Sequence, residues 1–467
     1  MLSSLHLNSK KERENSMSDK KLIVTRRKLI KSAVAGGAAA VALPRMHFIK
    51  DAHAEEYCNM PKGKEVVLGF NVPQTGPYAD EGADELRAFK LAVKHLNGEG
   101  DGGMLNTFKP SSLKGNGILG KKVAYVTGDT QTKSDAARAS AKRMIEKDKA
   151  IMISGGSSSG VAIAVQGLCQ DAGVIFMAGL THSNDTTGKD KRKHGFRHFF
   201  NAYMSGAALG PVLAKAYGKD RRAYHITADY TWGWTQEESM KKFTEAEGWK
   251  TVKAVRVPLG AGDYSQYLTP VLNSGADVLI LNLYGKDMVN ALTQAVQFGM
   301  REKMVNGKKF EIVVPLFSRL MAQGAGEAIK GIYGSTNWNW QLQDAASKAF
   351  VKSFGQEYGF PPSQAAHTCY VQTILYANAC EMAGTFSPAG VIPALEGFKF
   401  DGLGNGPTEY RAADHQCFKD VLVVKGNEKP TSKFDVLQVV ELTPRSKVEY
   451  DPKIFGGELG PINTKPC

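Results

Sequence analysis

Several absences narrow the reading before any motif does. No apolar run in the 467 residues reaches the roughly 20 that a transmembrane helix needs, and the Ala/Gly-rich stretch Ser32–Leu43 falls well short. Low-complexity segments and short solenoid repeats are absent, so disordered and repeat architectures are excluded. Cysteine is sparse, six in all, and none of the spacings is C-x-x-C or metal-like, so no zinc site and no cofactor are implied. Lysine and arginine are in excess, giving a formal net charge of +13, yet no basic stripe interleaves with aromatics. Nucleic acid is therefore not an expected partner. The one dense basic run, K-D-K-R-K-H-G-F-R-H at 189–198, reads as a solvated loop.

Much of that positive charge sits at one end, where residues 1–54 carry 11 Lys/Arg against 4 Asp/Glu. Thr25–Lys31 (T-R-R-K-L-I-K) is a twin-arginine pattern, and Ser32–Leu43 is the short apolar segment behind it. Ala52-His53-Ala54 supplies a small-x-small cleavage site. Residues 1–54 thus read as a twin-arginine export signal cleaved after Ala54, a plain secretory signal being the alternative. Either Met1 or Met17 serves as the start. Export to the periplasm makes the cysteines interpretable: Cys58, Cys417 and Cys467, in loop-like or terminal segments, are the disulfide candidates. Cys369 and Cys380 are eleven residues apart in a predicted helix, roughly 16 Å, too far to bond.

The exported part reads as alternating strands and helices. Glu65–Asn71 is an apolar strand, the turn-rich Pro73–Tyr78 follows, and Asp84–Leu96 carries a helical stripe of Leu86, Phe89, Val93 and Leu96. Further units follow through Ala150–Gly160 (A-I-M-I-S-G-G-S-S-S-G), where a buried strand ends in a Gly/Ser turn and a helix begins. Helix N-termini attract anions and polar groups, so this turn suits a ligand cradle. It also contains a literal G-x-S-x-G centred on Ser158, the pattern of a hydrolase nucleophile. A plain connecting turn is the third reading. The alternation restarts after about residue 200, which predicts an α/β protein with two lobes.

In order, G-F-N-V-P-Q-T-G-P-Y-A-D-E-G-A-D-E-L-R (69–87), the turn 155–160, 178–181, A-D-Y-T-W-G (228–233), 262–282 and Y-R-A-A-D-H-Q (410–416) resemble the periplasmic solute-binding proteins of branched-chain amino acid ABC transporters. The resemblance implies the type I periplasmic-binding-protein fold: two Rossmann-like lobes with parallel sheets flanked by helices, joined by crossover hinge strands. It places lobe 1 at 64–200 plus 333–405 and lobe 2 at 201–332 plus 406–467. It implies a monomer that captures a small-molecule solute between its lobes and hands it to an inner-membrane ABC permease. Ser157, Gly179 and Thr181 match positions that hold the ligand carboxylate, with Ser158 and Ser159 left to cap the helix. Tyr78, Tyr230 and Tyr284 match positions against the ligand.

The resemblance breaks where amino-acid binders carry an acid for the ligand ammonium. Here that segment is Pro315-Leu316-Phe317-Ser318-Arg319. A buried ammonium with no partner is costly. The expected solute is therefore a branched-chain or related amino acid, an aromatic or aliphatic carboxylate, or an amide. Phe317 and Arg319 join the candidate site, and Asp229 or Asp287 is a possible source of the missing charge. A soluble sensor serving a membrane receptor is an alternative function. A secreted serine hydrolase using Ser158 is a remoter one, because His367 and the adjacent Asp414-His415 make an awkward acid–base pair and no H-G-G-G-type oxyanion motif occurs.

Overall fold

Aliphatic strands that alternate with helices bury both faces only in a parallel sheet covered on each side. The computed structural model, which describes residues 59–109 and 111–464, has two such sheets. The first contains β1 (Glu65–Val72), β2 (Lys122–Asp129), β3 (Met152–Gly155), β4 (Ile175–Ala178) and β5 (Gly195–Arg197) in the order β2-β1-β3-β4-β5. All its pairings are parallel, with Glu65 opposite Lys122 and Leu68 opposite Met152. Its connecting helices are α1 (Ala79–Leu96), α2 (Ser134–Glu146) and α3 (Ser159–Ala172).

The chain then crosses over through α4 (Ala202–Tyr217) into β6 (Arg222–Ala228), α5 (Thr231–Ala246), β7 (Lys250–Val257), α6 (Ser265–Leu272), β8 (Val278–Asn282) and α7 (Gly285–Gln297). A small hairpin of β9 (Met304–Val305) and β10 (Lys308–Lys309) precedes β11 (Glu311–Leu316), α8 (Arg319–Ala325) and β12 (Tyr333–Thr336). The return leg holds α9 (Ala345–Tyr358), α10 (Gln364–Ala383), α11 (Pro388–Leu395), and a small sheet of β13 (Lys399–Phe400), β14 (Thr408–Tyr410) and β15 (Cys417–Phe418). The chain ends in β16 (Val421–Gly426), β17 (Leu437–Thr443) and α12 (Arg445–Val448). The second sheet runs β17-β16-β12-β11-β8-β6-β7. β16 and β17 join it antiparallel, so this sheet is mixed rather than parallel throughout.

Each lobe has its own core. β8 (V-L-I-L-N) is buried along its whole length in the second. α10 lies against α1 in the first. It is buried over most of its 20 residues, which is why it shows no apolar stripe; its buried polar residues, Gln364, Gln372 and Asn378 among them, are hydrogen-bonded.

The crossing points fall a few residues from where the sequence puts them. β12, expected in lobe 1, pairs with β11 in the second sheet, so the chain returns to the first lobe after Thr336. Tyr410 and Cys417, expected in lobe 2, lie in the first core, and Phe418 begins the second. The buried Arg197 binds the crossings together, donating from Nε to Gln416 Oε1 at 2.7 Å and from its guanidinium to the Ser183 carbonyl. Gln416 in turn donates to the Phe199 carbonyl at 2.9 Å.

Cys417 corrects an expectation. It is a fully buried free thiol, with Sγ 3.4 Å from His198 Nδ1, because the strand holding it is an internal crossing and not a surface loop. Cys58, Cys467 and the export signal lie outside the described residues. No helix among the described residues is long and apolar enough to cross a membrane.

Candidate functional site

In a doubly wound sheet the ligand crevice opens where neighbouring strands send their connections to opposite faces, at the strands' carboxyl ends. In the first sheet that point lies between β1 and β3, and in the second between β6 and β8. The loops leaving these four strands carry Tyr78, Ser157 and Ser158, Tyr230 and Tyr284, and Trp232 stands in the first turn of α5. Together with Ser159, Leu180, His182 and Leu316 they line one cavity between the lobes. The free space left is about 10 Å³, on the order of room for one water. The lobes thus leave no room for a larger molecule in this arrangement.

Local sequence explains the close approach. Gly155 and Gly156 leave β3 with φ of 128° and 84°, and a Cβ on Gly155 would stand 2.0 Å from the Asn71 carbonyl oxygen. Only glycine turns the chain there. Across the cleft, Gly285 has φ of 59°, and its Cβ would meet the Pro77 carbonyl oxygen and Tyr78 Cδ1, each at 2.6 Å. The Lys286 N–H donates to that carbonyl at 3.2 Å, so the lobes touch through backbone.

Helix starts meet here too. Tyr78, Ser158, Tyr230, Tyr284 and Ser318 hold the N-cap positions of α1, α3, α5, α7 and α8. Their first N–H groups and dipoles favour negative charge. Ser318 Oγ accepts from the Met321 N–H at 3.1 Å, whereas Ser158 makes no side-chain cap bond. Ser159, expected to cap, instead accepts from the N–H groups of His182 and Ser183 at 3.3 and 3.0 Å.

The aromatic residues form a box. The Tyr78 and Tyr230 hydroxyls are 2.8 Å apart across the lobes, and Tyr78 and Tyr284 meet edge to face with centroids 5.6 Å apart. Trp232 stands 6.2 Å from Tyr284. Burial raises the Tyr78 and Tyr284 phenols well above the ordinary range, so both stay neutral. Burial drops His182 to about 3, so it too is neutral, with Nδ1 against the Phe200 carbonyl at 2.8 Å. The Tyr284 hydroxyl, Trp232 Nε1 and His182 Nε2 have no hydrogen-bond partner.

The other expected site residues fall elsewhere. The Gly179 N–H donates to the Gly155 carbonyl at 2.7 Å, and Thr181 Oγ1 to the Gly156 carbonyl at 2.6 Å. Both clamp the β3 and β4 loops together, and neither lines the cavity. Phe317 is fully buried in the second core beneath Gly334. Arg319 stands 3.8 Å from Asp84, lies over the Phe434 ring and donates from Nη1 to Gln323 Oε1; its Nε and Nη2 are buried without a hydrogen-bond partner, and it does not line the cavity. Asp229 accepts from Trp234 Nε1 at 2.9 Å, and Asp287 from the Gly260 N–H at 2.9 Å.

The residues that the sequence reading missed are acids on α1. Glu81, Asp84 and Glu85 are all buried, and none lines the cavity; Glu85 lies behind Ser157 and Glu81 beside Tyr284, two residues that do. Ser157 Oγ donates to Glu85 Oε2, and Ser318 Oγ to Glu81 Oε1 at 2.5 Å. Burial, only partly offset by those serines, pushes Glu85 up to about 8 and Glu81 up to about 7. A signal for them exists: Glu81 and Glu85 are in helical register with Ala88, Ala92 and His95, all buried.

The hydrolase elements do not meet. His415 contacts the Gly195 carbonyl and Glu396, each at 2.8 Å. His367 contacts the Leu403 carbonyl at 2.8 Å and stacks on Trp338. Neither contacts Ser158. Among the described residues no group of three or more His, Cys, Asp or Glu side chains is suited to a metal ion.

Comparison with known proteins gives a consistent picture. The family model described as periplasmic binding protein matches residues 65–431. A Leu/Ile/Val-binding protein homologue of Brucella suis is 24% identical over 366 residues, covering 73% of this chain and 86% of the relative. An amino acid ABC transporter substrate-binding protein from Pseudomonas fluorescens superposes with a TM-score of 0.73 at 23% identity, over 85% of this chain and 100% of that one. A solute-binding protein of an ABC transporter from Rhodopseudomonas palustris, solved with 3,4-dihydroxybenzoic acid, gives 0.70 at 20% identity, over 82% and 98%.

Proposed function

The chain belongs to the periplasmic binding protein family, a family of solute-binding proteins and not of enzymes, and on that premise we propose that it is the substrate-binding component of an ABC importer. It works in the periplasm, reached through the signal at 1–54, and delivers one small solute to an inner-membrane permease. Tyr78, Ser157, Tyr230, Trp232 and Tyr284 are the ligand contacts. Gly179 and Thr181 support them by fixing the β3 and β4 loops, and Phe317 and Arg319 by fixing the start of α8. The solute is a branched-chain or related amino acid, an aromatic or aliphatic carboxylate, or an amide.

The observation that carries this reading is the convergence of the loops at both switch points on one aromatic and polar cavity. Helix starts supply donors for a carboxylate, and the rings supply apolar contact that keeps a polar edge. A thermal-shift panel of amino acids, aromatic acids and amides on residues 55–467 tests it. A true ligand at a hundredfold over its Kd stabilises the fold by about 3 kcal/mol. A panel without any stabilising compound, or one in which a compound is consumed, refutes it.

A further inference from the structure

The family match stops at residue 431, and the described chain continues to Thr464. After α12 this last stretch starts in the second lobe. Tyr450 is buried in the second core, and its hydroxyl accepts from Asn201 Nδ2 at 2.6 Å. Phe455 packs on the same core, edge to face with Tyr450. From there the chain leaves its own lobe. Gly456 O accepts from Lys191 Nζ at 3.0 Å, Leu459 O from the Lys193 N–H at 2.7 Å and Pro461 O from Gln170 Nε2 at 3.0 Å. The Asn463 N–H donates to His194 Nε2 at 2.8 Å. The basic run at 189–198, expected as a solvated loop, is therefore the bed of this stretch, with Lys191 and His194 buried. These contacts lay a strap from the second lobe along the β5 edge of the first sheet.

The strap is tied down beside Asn59. Asn463 Nδ2 donates to the Gln170 and Asp171 carbonyls at the end of α3, at 3.0 and 2.8 Å. A Cβ on Gly173 would stand 3.2 Å from the Asn463 carbonyl oxygen. Asn59 anchors in the same way one unit earlier: its Nδ2 donates to the Ile145 and Ala150 carbonyls, where α2 gives way to β3, at 2.8 and 3.0 Å. α2 and α3 pack on each other, and Met152 pairs with Ile175 in adjacent strands. Ala150 and Gly173 each stand two residues before that pair. The two anchoring turns thus lie one strand spacing apart, about 5 Å. Met60 and Ile462 both pack on the first core.

Cys58 precedes Asn59 directly, and Cys467 is four residues beyond Asn463; both lie outside the described residues. Together these links reach up to about 17 Å. That is ample for turns about 5 Å apart and for the Cα separation of about 5.5–6 Å that a disulfide sets. The other four cysteines are buried free thiols.

We infer that Cys58 and Cys467 pair in a disulfide that closes the strap, a covalent link between the lobes in addition to the crossings. This goes beyond the solute-binding reading and takes from it only export to an oxidising compartment. The bond forms by exchange. The two thiols give up two protons and two electrons to a disulfide donor, cystine or an oxidised thiol oxidoreductase, whose own S–S bond breaks. Reduction reverses the step and leaves the strap held by its non-covalent contacts alone.

A peptide map tests the pairing whether or not the chain is exported. Residues 55–467 are equilibrated in a cystine–cysteine buffer, denatured, alkylated and digested without reduction. The expected result is one cross-linked peptide joining Cys58 to Cys467 within a monomeric chain, with alkyl groups on Cys169, Cys369, Cys380 and Cys417. Hydrogen exchange then reads the strap at the Lys193 and Asn463 N–H groups, whose acceptors it fixes. Exchange there should rise about tenfold or more on mild reduction, and equally in Cys467→Ser without reductant. β8 stays protected throughout, which separates release of the strap from unfolding. Alkylated Cys58 or Cys467, or a cross-link that joins two chains, overturns the pairing while the solute-binding reading stands. Exchange at both groups that neither reduction nor Cys467→Ser changes overturns closure of the strap by this bond.

Discussion

Glu85→Gln carries the sharpest stability consequence. In the unfolded chain this carboxyl titrates near 4.5, and in the fold burial pushes it up to about 8. The folded state therefore holds a proton that the unfolded state has released. For a raised pKa the contribution is fully present below the unfolded value and is lost as pH climbs through the folded one. Each pH unit in that window costs about 1.4 kcal/mol. By pH 7 the wild type has given up about 3 kcal/mol at this one site. Glutamine keeps the shape and can still accept from Ser157, but it has no proton to hold. The variant should match wild type within about 1 kcal/mol at pH 5 and gain steadily to about 3 kcal/mol at pH 7. Urea unfolding midpoints at pH 5, 6, 7 and 8 measure this. Glu81 adds its own repulsion, so the double variant should gain less than the sum of the two. A Glu85→Gln difference that stays flat with pH, or shrinks toward pH 8, refutes the assignment of a buried, proton-holding acid.

Tyr78→Phe removes the 2.8 Å bond to Tyr230 across the lobes; affinity for a bound solute should fall about fivefold, read by calorimetry, with little change in the melting temperature. Gly285→Ala puts a Cβ at 2.6 Å from Pro77 O and Tyr78 Cδ1; it should hold the lobes apart, seen as a larger radius of gyration with ligand and an affinity loss of about tenfold or more. Ile280→Ala, in the fully buried β8, should cost about 2–5 kcal/mol in urea unfolding. The thiols of Cys169, Cys369, Cys380 and Cys417 are buried, and burial raises each; a thiol reagent should label them only after denaturation.

The parallel sheets and their helices were legible because their signal is local. β8 is a run of buried aliphatics, and α2 carries Ala137, Ala141, Met144 and Ile145 on one face. β12, four residues long, is too short for any period to register and joins the second sheet only through its partners β11 and β16. That Tyr78, Ser157, Tyr230 and Tyr284 line one cavity was legible, because each follows a strand at a switch point. Glu81 and Glu85 were not, since an acid in the first turns of a helix ordinarily complements its dipole at the surface. What buries them is the second lobe and α10 closing on α1, contacts far away in sequence. For Phe317 and Arg319 the spacing alone does not give the direction of the side chains: the loop after β11 reaches the cavity through Leu316, while Ser318 bonds Glu81 and Phe317 turns into the core.

The central claim is that the cleft between the lobes captures one solute per chain. Titration calorimetry of the most stabilising panel compound, on the wild type and on Tyr230→Ala, tests it most directly. The account predicts one site per chain in the wild type, and for Tyr230→Ala binding at least tenfold weaker in a variant that still unfolds in a single cooperative transition. Binding that Tyr230→Ala leaves intact, or a stoichiometry other than one, would contradict it.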